Sequence, residues 1–209
     1  HCLPQNENKM KLTAKYWVLL LTFSMIFGGC SSPTTQVENS ELLSKFDQDL
    51  DTYFGYMNTR DWENMLSMTN PRLFEIVPKQ TMVDMFRSLY ESGMEMRVEE
   101  TAPTSFSTIV EDNGDQYCKV MYEGVLTMTL SQTLMANIEM FKTELYKTYS
   151  PEEVLIDLEK NQIIIDSEKE IIAMSSDNQQ TWSYFELQEG QEQMLSKLIP
   201  PSVLEKINQ

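Results

Sequence analysis

Few side chains in this 209-residue chain are equipped for covalent or acid–base chemistry, and their spacing narrows what they could do. In TWSYFEL, Trp182, Tyr184 and Glu186 share one parity, so a strand would turn all three to the same face. A tyrosine hydroxyl and a carboxylate meeting in an apolar pocket could polarise a carbonyl and remove a neighbouring proton. Tyr122 and Glu123 are adjacent in YCKVMYEGVLTMTL, and neighbouring strand residues point to opposite faces, so this pair cannot serve one pocket. Aromatic residues on such strands usually build core. Tyr122, Trp182 and Tyr184 are therefore candidate pocket walls, and no catalytic residue is assigned. Asp47, Asp49 and Asp51 are spaced like the start of a calcium loop. Thr52 stands where its sixth position needs glycine, and Asn58 where its twelfth needs glutamate. The helical period around them lays these aspartates on a solvated face. Cys118 sits in an apolar alternation with no imidazole to activate it, which reads as an inert core thiol.

Cys30 differs, because its surroundings form an ordered sequence of signals. Lys11 and Lys15 precede an apolar block from Tyr16 to Phe27, and Gly28-Gly29 lead into Cys30 and Ser31-Ser32. A basic start, a short greasy middle and a small-residue end make a secretory leader. The block is too short to span a hydrocarbon core as a helix, which takes about 20 residues. IFGGC resembles the lipobox of bacterial lipoprotein signals, with Phe27 departing from the usual leucine-like residue. The resemblance implies cleavage before Cys30 and a diacylglyceryl group on its sulfur, supplemented by palmitate-type acylation. Met10 is the expected start of the leader, with residues 1–9 upstream of it.

Removal of residues 1–29 takes away His1, Lys9, Lys11, Lys15 and Glu7. The remainder has 13 basic and 31 acidic residues (16 less 3 and 32 less 1), a net charge of −18. It holds no histidine, so no serine–histidine–acid set can form, and zinc ligation is nearly excluded. With the Cys30 sulfur lipidated, Cys118 has no disulfide partner. No glycine-rich stretch cradles a phosphate, and the acidic body repels nucleic acid. No metal or cofactor is expected. The membrane is held through the lipid, since two or more acyl chains anchor firmly.

Residues 30–40 read as the lipidated cysteine and a polar tether, and 41–209 as one domain. Leu43, Phe46, Leu50, Tyr53 and Met57 recur at helical steps and predict a helix from about Ser40 to Arg60, capped by Asn39 or Ser40. Asn70-Pro71 predicts another helix start. Met82, Phe86, Leu89 and Tyr90 predict a helix stopping near Gly93. Alternation then takes over: MRVEE, SFSTIVED and the long stretch from Tyr117 to Leu130 read as strands, with Asn113-Gly114 turning into the last. Leu134, Ile138, Phe141 and Leu145 mark a helical insertion. Ser150-Pro151-Glu152-Glu153 predicts a capping box and a short helix. QIIID, EIIAMS and TWSYFEL read as three strands, followed by a helical tail broken at Pro200-Pro201.

This order is α+β: N-terminal helices on a strongly curved antiparallel sheet, a helical insertion and a helical tail. Together with NTRDWENML and TWSYFEL, it resembles the nuclear transport factor 2-like (cystatin-like) fold, and in particular small lipoproteins of Gram-negative bacteria that carry it. The resemblance implies a cone of sheet around a long helix, often with a ligand pocket at its open end, and dimerisation through the sheet. Some members are isomerases, dehydratases or cyclases, and many are non-catalytic. The expected function is a lipid-anchored cell-envelope module, on the periplasmic face of the outer membrane, binding a small apolar ligand or a partner protein. The alternative is an isomerase- or dehydratase-like enzyme using a carboxylate and a tyrosine. The methionines are expected to fill an irregular core.

Overall fold

Leu42, Phe46, Leu50 and Phe54 recur every fourth residue and are all buried, which gives helix α1 (Pro33–Thr59) one continuous apolar stripe. The computed structural model describes residues 33–186 and 196–208, with side chains over 39–185 and 196–208. The leader, Cys30 and the start of the expected tether lie outside those residues. The chain divides into two units, His1–Glu38 and Asn39–Gln209, and the packing described below belongs to the second. The helix begins at Pro33, within the stretch expected to be a tether and ahead of Asn39 and Ser40. Proline suits a first helical position, where its fixed φ fits and its missing N–H leaves nothing unpaired.

Three helices follow: α2 (Trp62–Ser67), α3 (Leu73–Ile76) and α4 (Lys79–Glu91). α3 starts at Leu73, with Arg72 and not Asn70 at its N-cap, and Asn70 instead shapes the turn ahead of it. Its side-chain oxygen accepts from the Arg72 N–H at 3.0 Å, and its carbonyl accepts from Leu73 at 3.0 Å. Met65, Leu66 and Val83 form a small core with Tyr53, Trp62 and Phe86 between α1, α2 and α4. Gly93 ends the helical third with φ +90°.

Six antiparallel strands make an open sheet. They are β1 (Met94–Phe106), β2 (Val110–Asp112), β3 (Asp115–Leu130), β4 (Val154–Asp157), β5 (Gln162–Ser175) and β6 (Ser183–Glu186). The order is β1-β3-β5-β4, with β2 also on β3 and β6 also on β5. Asn113 and Gly114 both take positive φ, 53° and 85°, in the tight turn from β2 to β3. Between β1 and β3 the register shifts twice, between Glu99 and Ala102 and between Pro103 and Ser105. Such bulges bend and twist a strand.

Strand parity separates two covered faces. Cys118, Val120, Tyr122, Ile171 and Ala173 pack under α1. Farther along that parity, Leu130, Ile163 and Ile165 pack with Leu134, Ile138, Phe141 and Leu145 of the insertion, helices α5 (Gln132–Met135) and α6 (Ile138–Leu145). On the opposite parity, Tyr117, Ile172 and Met174 meet Leu198, Ile199, Val203 and Ile207, the last two on helix α7 (Pro201–Ile207).

Two local expectations are corrected. Ser150–Glu153 makes half of a capping box, with the Ser150 N–H donating to Glu153 at 2.7 Å, but no helix follows. Val154, Leu155 and Ile156 pair instead with Ile165, Ile164 and Ile163, because a run of β-branched and apolar residues beside a hydrophobic strand gains more from the ladder. QIIID and EIIAMS are one strand, not two. SER-GLU-LYS at 167–169 stays in the ladder because β3 supplies a partner at every step, Gly124 to Ser167 through Tyr122 to Lys169.

Candidate functional site

The structure does bring Tyr122, Trp182 and Tyr184 together, as tightly packed core. All three are at most 6% exposed. Trp182 stands edge-on to Phe46 at 5.3 Å, and the Tyr122 ring lies 5.7 Å from Phe54. The Tyr184 hydroxyl donates to Asp49 at 2.6 Å, and burial followed by this bond pushes its pKa upward. Side chains of α1 therefore fill the sheet face where a cone pocket was expected. Glu123 is exposed on the opposite face, and the side chain of Glu186 lies outside the described residues. Cys118 is fully buried, and desolvation pushes its thiol up to about 12. Asp47 and Asp51 are exposed on α1. Among the described residues, no group of three His, Cys, Asp or Glu side chains could hold a metal ion.

A cleft of about 510 Å³ opens elsewhere, bounded by the C-terminal end of α1, helix α4 and strand β1 and reaching over the sheet face to Thr127 and Thr129 of β3 and Gln162 of β5. Its construction begins at Arg60. The Arg60 N–H donates to the Met57 carbonyl at 3.0 Å, and the Asp61 N–H to the Tyr56 carbonyl at 2.9 Å. This pair of bonds ends a helix with its next residue in the left-handed conformation, normally a glycine. Here that residue is arginine, with φ 65°. The Asp61 side chain then accepts from the Asn64 N–H and starts α2, which sets Trp62 into the cleft wall. Trp62 stacks on Phe86 of α4, with ring centroids 5.2 Å apart and planes at 17°.

The polar groups of the cleft hold one another. The Arg60 guanidinium lies 3.6 Å from the Tyr90 ring centroid and 3.9 Å from the Glu95 carboxylate. The Tyr90 hydroxyl donates to Glu95 at 3.0 Å, and desolvation together with this bond pushes its pKa up. Arg97 and Glu99 pair at 2.9 Å on β1. Asn58 reaches from α1 to the strand: its amide donates to the Val98 carbonyl at 2.7 Å, and its oxygen accepts from the Val98 N–H at 2.9 Å.

A tyrosine and a carboxylate thus do share a cleft, but they are Tyr90 and Glu95. The Glu95 side chain is 56% exposed and faces a cation, so it lacks the apolar, desolvated setting that prepares a carboxylate to act as a base. The arrangement is suited to holding something, with one aromatic wall and paired charges beside it. Sequence reasoning missed these residues because Arg60, Asn58 and Glu95 look like ordinary helix-end and surface residues. The available signal was the absence of glycine where NTRDW leaves a long helix.

A second polar cluster ties elements together. Arg72 bonds Asp115 and donates to the Tyr117 hydroxyl at 3.0 Å, while the Ser176 hydroxyl donates to Asp115 at 2.7 Å. Desolvation alone would raise the Asp115 pKa. The bonds from Ser176 and Arg72 outweigh it and hold the carboxyl below its usual range.

Comparison with protein-family models, with curated proteins and with solved structures finds no match.

Proposed function

We propose that this chain is a lipid-anchored, non-enzymatic docking module of the cell envelope, presenting the cleft beside β1 to a partner protein. The observation that carries the docking reading is the cleft itself: a half-buried aromatic wall, Trp62 on Phe86, beside charges already matched in pairs. Mutually neutralised groups on a rigid frame suit recognition more than proton transfer, which needs a group poised to gain or lose a proton. The packed core under α1 speaks against an apolar ligand held inside the sheet, and the exposure of Glu95 against the isomerase or dehydratase alternative.

The anchor rests on FGGCSS and the basic, apolar leader before it, with Cys30 carrying the diacylglyceryl group. Among the described residues, no helix is long and apolar enough to cross a membrane. The periplasmic face of the outer membrane is the proposed location. Helices before a bulged antiparallel meander, with α1 laid on the sheet, support assignment of the fold to the nuclear transport factor 2-like class.

Two measurements on protein from a Gram-negative membrane fraction test the reading. Intact-mass analysis should find residues 1–29 gone and a diacylglyceryl group on Cys30; an unmodified chain with its leader attached defeats the anchor. A photocrosslinker in place of Phe86 should yield a discrete adduct with one envelope protein. Adducts only from the other end of the sheet, for instance at the exposed Glu205 of α7, would defeat docking at the cleft.

A further inference from the structure

The cleft reaches from the sheet face at Thr127, Thr129 and Gln162 to the edge strand β1, and the direction of the backbone groups on that edge follows from the register. The Ser131 N–H donates to the Gly93 carbonyl at 2.7 Å, and the pairing continues as Met94 with Leu130 and Glu95 with Thr129. Antiparallel partners alternate between bonded and non-bonded pairs. Glu95 and Arg97 therefore turn their N–H and C=O groups toward β3, while Met94, Met96 and Val98 turn theirs outward. Among the described residues no strand lies on that outward side. At Val98, both outward groups are taken by the primary amide of Asn58. That amide is chemically a peptide group, placed where the next strand would run.

We propose that the cleft binds an extended peptide segment of a partner protein, which adds to the sheet at the outward edge of β1 and hydrogen-bonds to the main chain of Met94 and Met96. This rests on the docking reading above and names the kind of partner. The usable edge is short and defined at both ends. Gly93 closes it on one side. On the other, Asn58 covers Val98, Glu100 takes φ 56°, and Pro103 carries no N–H. From Met94 to Val98 the strand runs about 14 Å at its usual rise, enough for a segment of about four residues. Side chains of an added strand alternate, so every second one would face the Trp62–Phe86 wall.

Charge points to the same occupant. Glu95 and Glu99 match Arg60 and Arg97, so these four cleft residues sum to zero in a chain of net charge −16. A free anion would meet the two carboxylates, and a free cation the two guanidiniums. A neutral backbone carrying both donors and acceptors meets its complement on the β1 edge, and main-chain pairing of this kind supplies affinity with little dependence on sequence.

Amide hydrogen exchange on the whole chain, alone and with linear peptides selected against it from a phage-displayed random library, tests the proposal. In the free chain the Met94 and Met96 amides should exchange faster than those of Glu95 and Arg97. A selected peptide should slow Met94 and Met96 by at least about tenfold, as pairing of an exposed amide does, and the same peptide N-methylated at alternate residues should lose its binding in one of the two frames. Met96→Pro removes one outward donor at a position where an edge strand tolerates proline; it should abolish peptide binding while leaving the thermal melt near that of the parent. The proposal is overturned if no peptide is selected, if protection falls elsewhere, if the Met96→Pro chain still binds, or if the two amides are already protected in the free chain by one of its own segments. A partner crosslinked at Phe86 with Met94 and Met96 unprotected would sink edge pairing and leave docking standing. A peptide that protects them without any envelope partner crosslinking would do the reverse.

Discussion

Arg60 holds a left-handed backbone conformation, φ 65°, at the mouth of the cleft, a geometry that normally costs a residue with a Cβ about 1 kcal/mol or more relative to glycine. The side chain offsets part of this through Tyr90 and Glu95. Arg60→Gly should therefore be more stable than Arg60→Ala by about 1 kcal/mol in urea melts, since both lose the guanidinium but only glycine relaxes the backbone. Equal stabilities would show that no strain is stored there. Asp115 is a second residue with a measurable consequence. Its pKa is held below the ordinary value of about 3.9, so its carboxylate stabilises the fold at pH above that value. This contribution is lost as pH falls through the lower folded value. Acid should lower the melting temperature through this window, and less so in Arg72→Met; identical acid sensitivity in both chains would contradict the role given to the cluster. At this scale the sequence was readable for packing and poorly readable for the cleft. Cys118, Tyr122 and Glu123 lie on the faces their parity predicted, whereas Arg60 and Asn58 gain meaning only once β1 is beside them.

Elements were legible where a local pattern and the tertiary partner agreed. The α4 stripe ending at Gly93, the Asn113-Gly114 turn and the long β3 alternation all appear where expected. They were misread where a neighbour outweighed the local signal. Ser150–Glu153 forms its capping bond and still leads into β4, because Val154 and Ile156 gain more on β5. The charged run at 167–169 looks like a break and is held in the ladder, with the Lys169 ammonium donating to the Gly124 carbonyl at 2.8 Å. Gly93 is the joint that aims β1 along the cleft. A Cβ there would stand 2.6 Å from the Ser131 Cβ, at φ +90°. Gly93→Ala should cost about 1–3 kcal/mol from the backbone conformation alone, with more from the contact, and Ser131→Gly should recover only the contact part. A neutral Gly93→Ala would mean that α4 and β1 adjust freely, and the cleft would then be less fixed than described.

At the scale of the molecule, the proposed place at the envelope requires that so acidic a body be held there by something other than its surface. Anionic headgroups repel a chain with net charge −18 beyond residue 29, so the proposed attachment depends on the lipid of Cys30. Cys30→Ala should move the protein wholly from the membrane to the soluble fraction and abolish incorporation of labelled palmitate, with the melting temperature of the domain unchanged. Retention of the variant in the membrane would remove the lipid from the account. The docking claim is tested most directly by the photocrosslinker at position 86 in intact cells. The account predicts one discrete protein adduct that disappears when Met96→Pro is added. A crosslink unaffected by that proline would contradict the edge pairing alone, and adducts confined to the other end of the sheet, around Glu205 of α7, would contradict docking at the cleft.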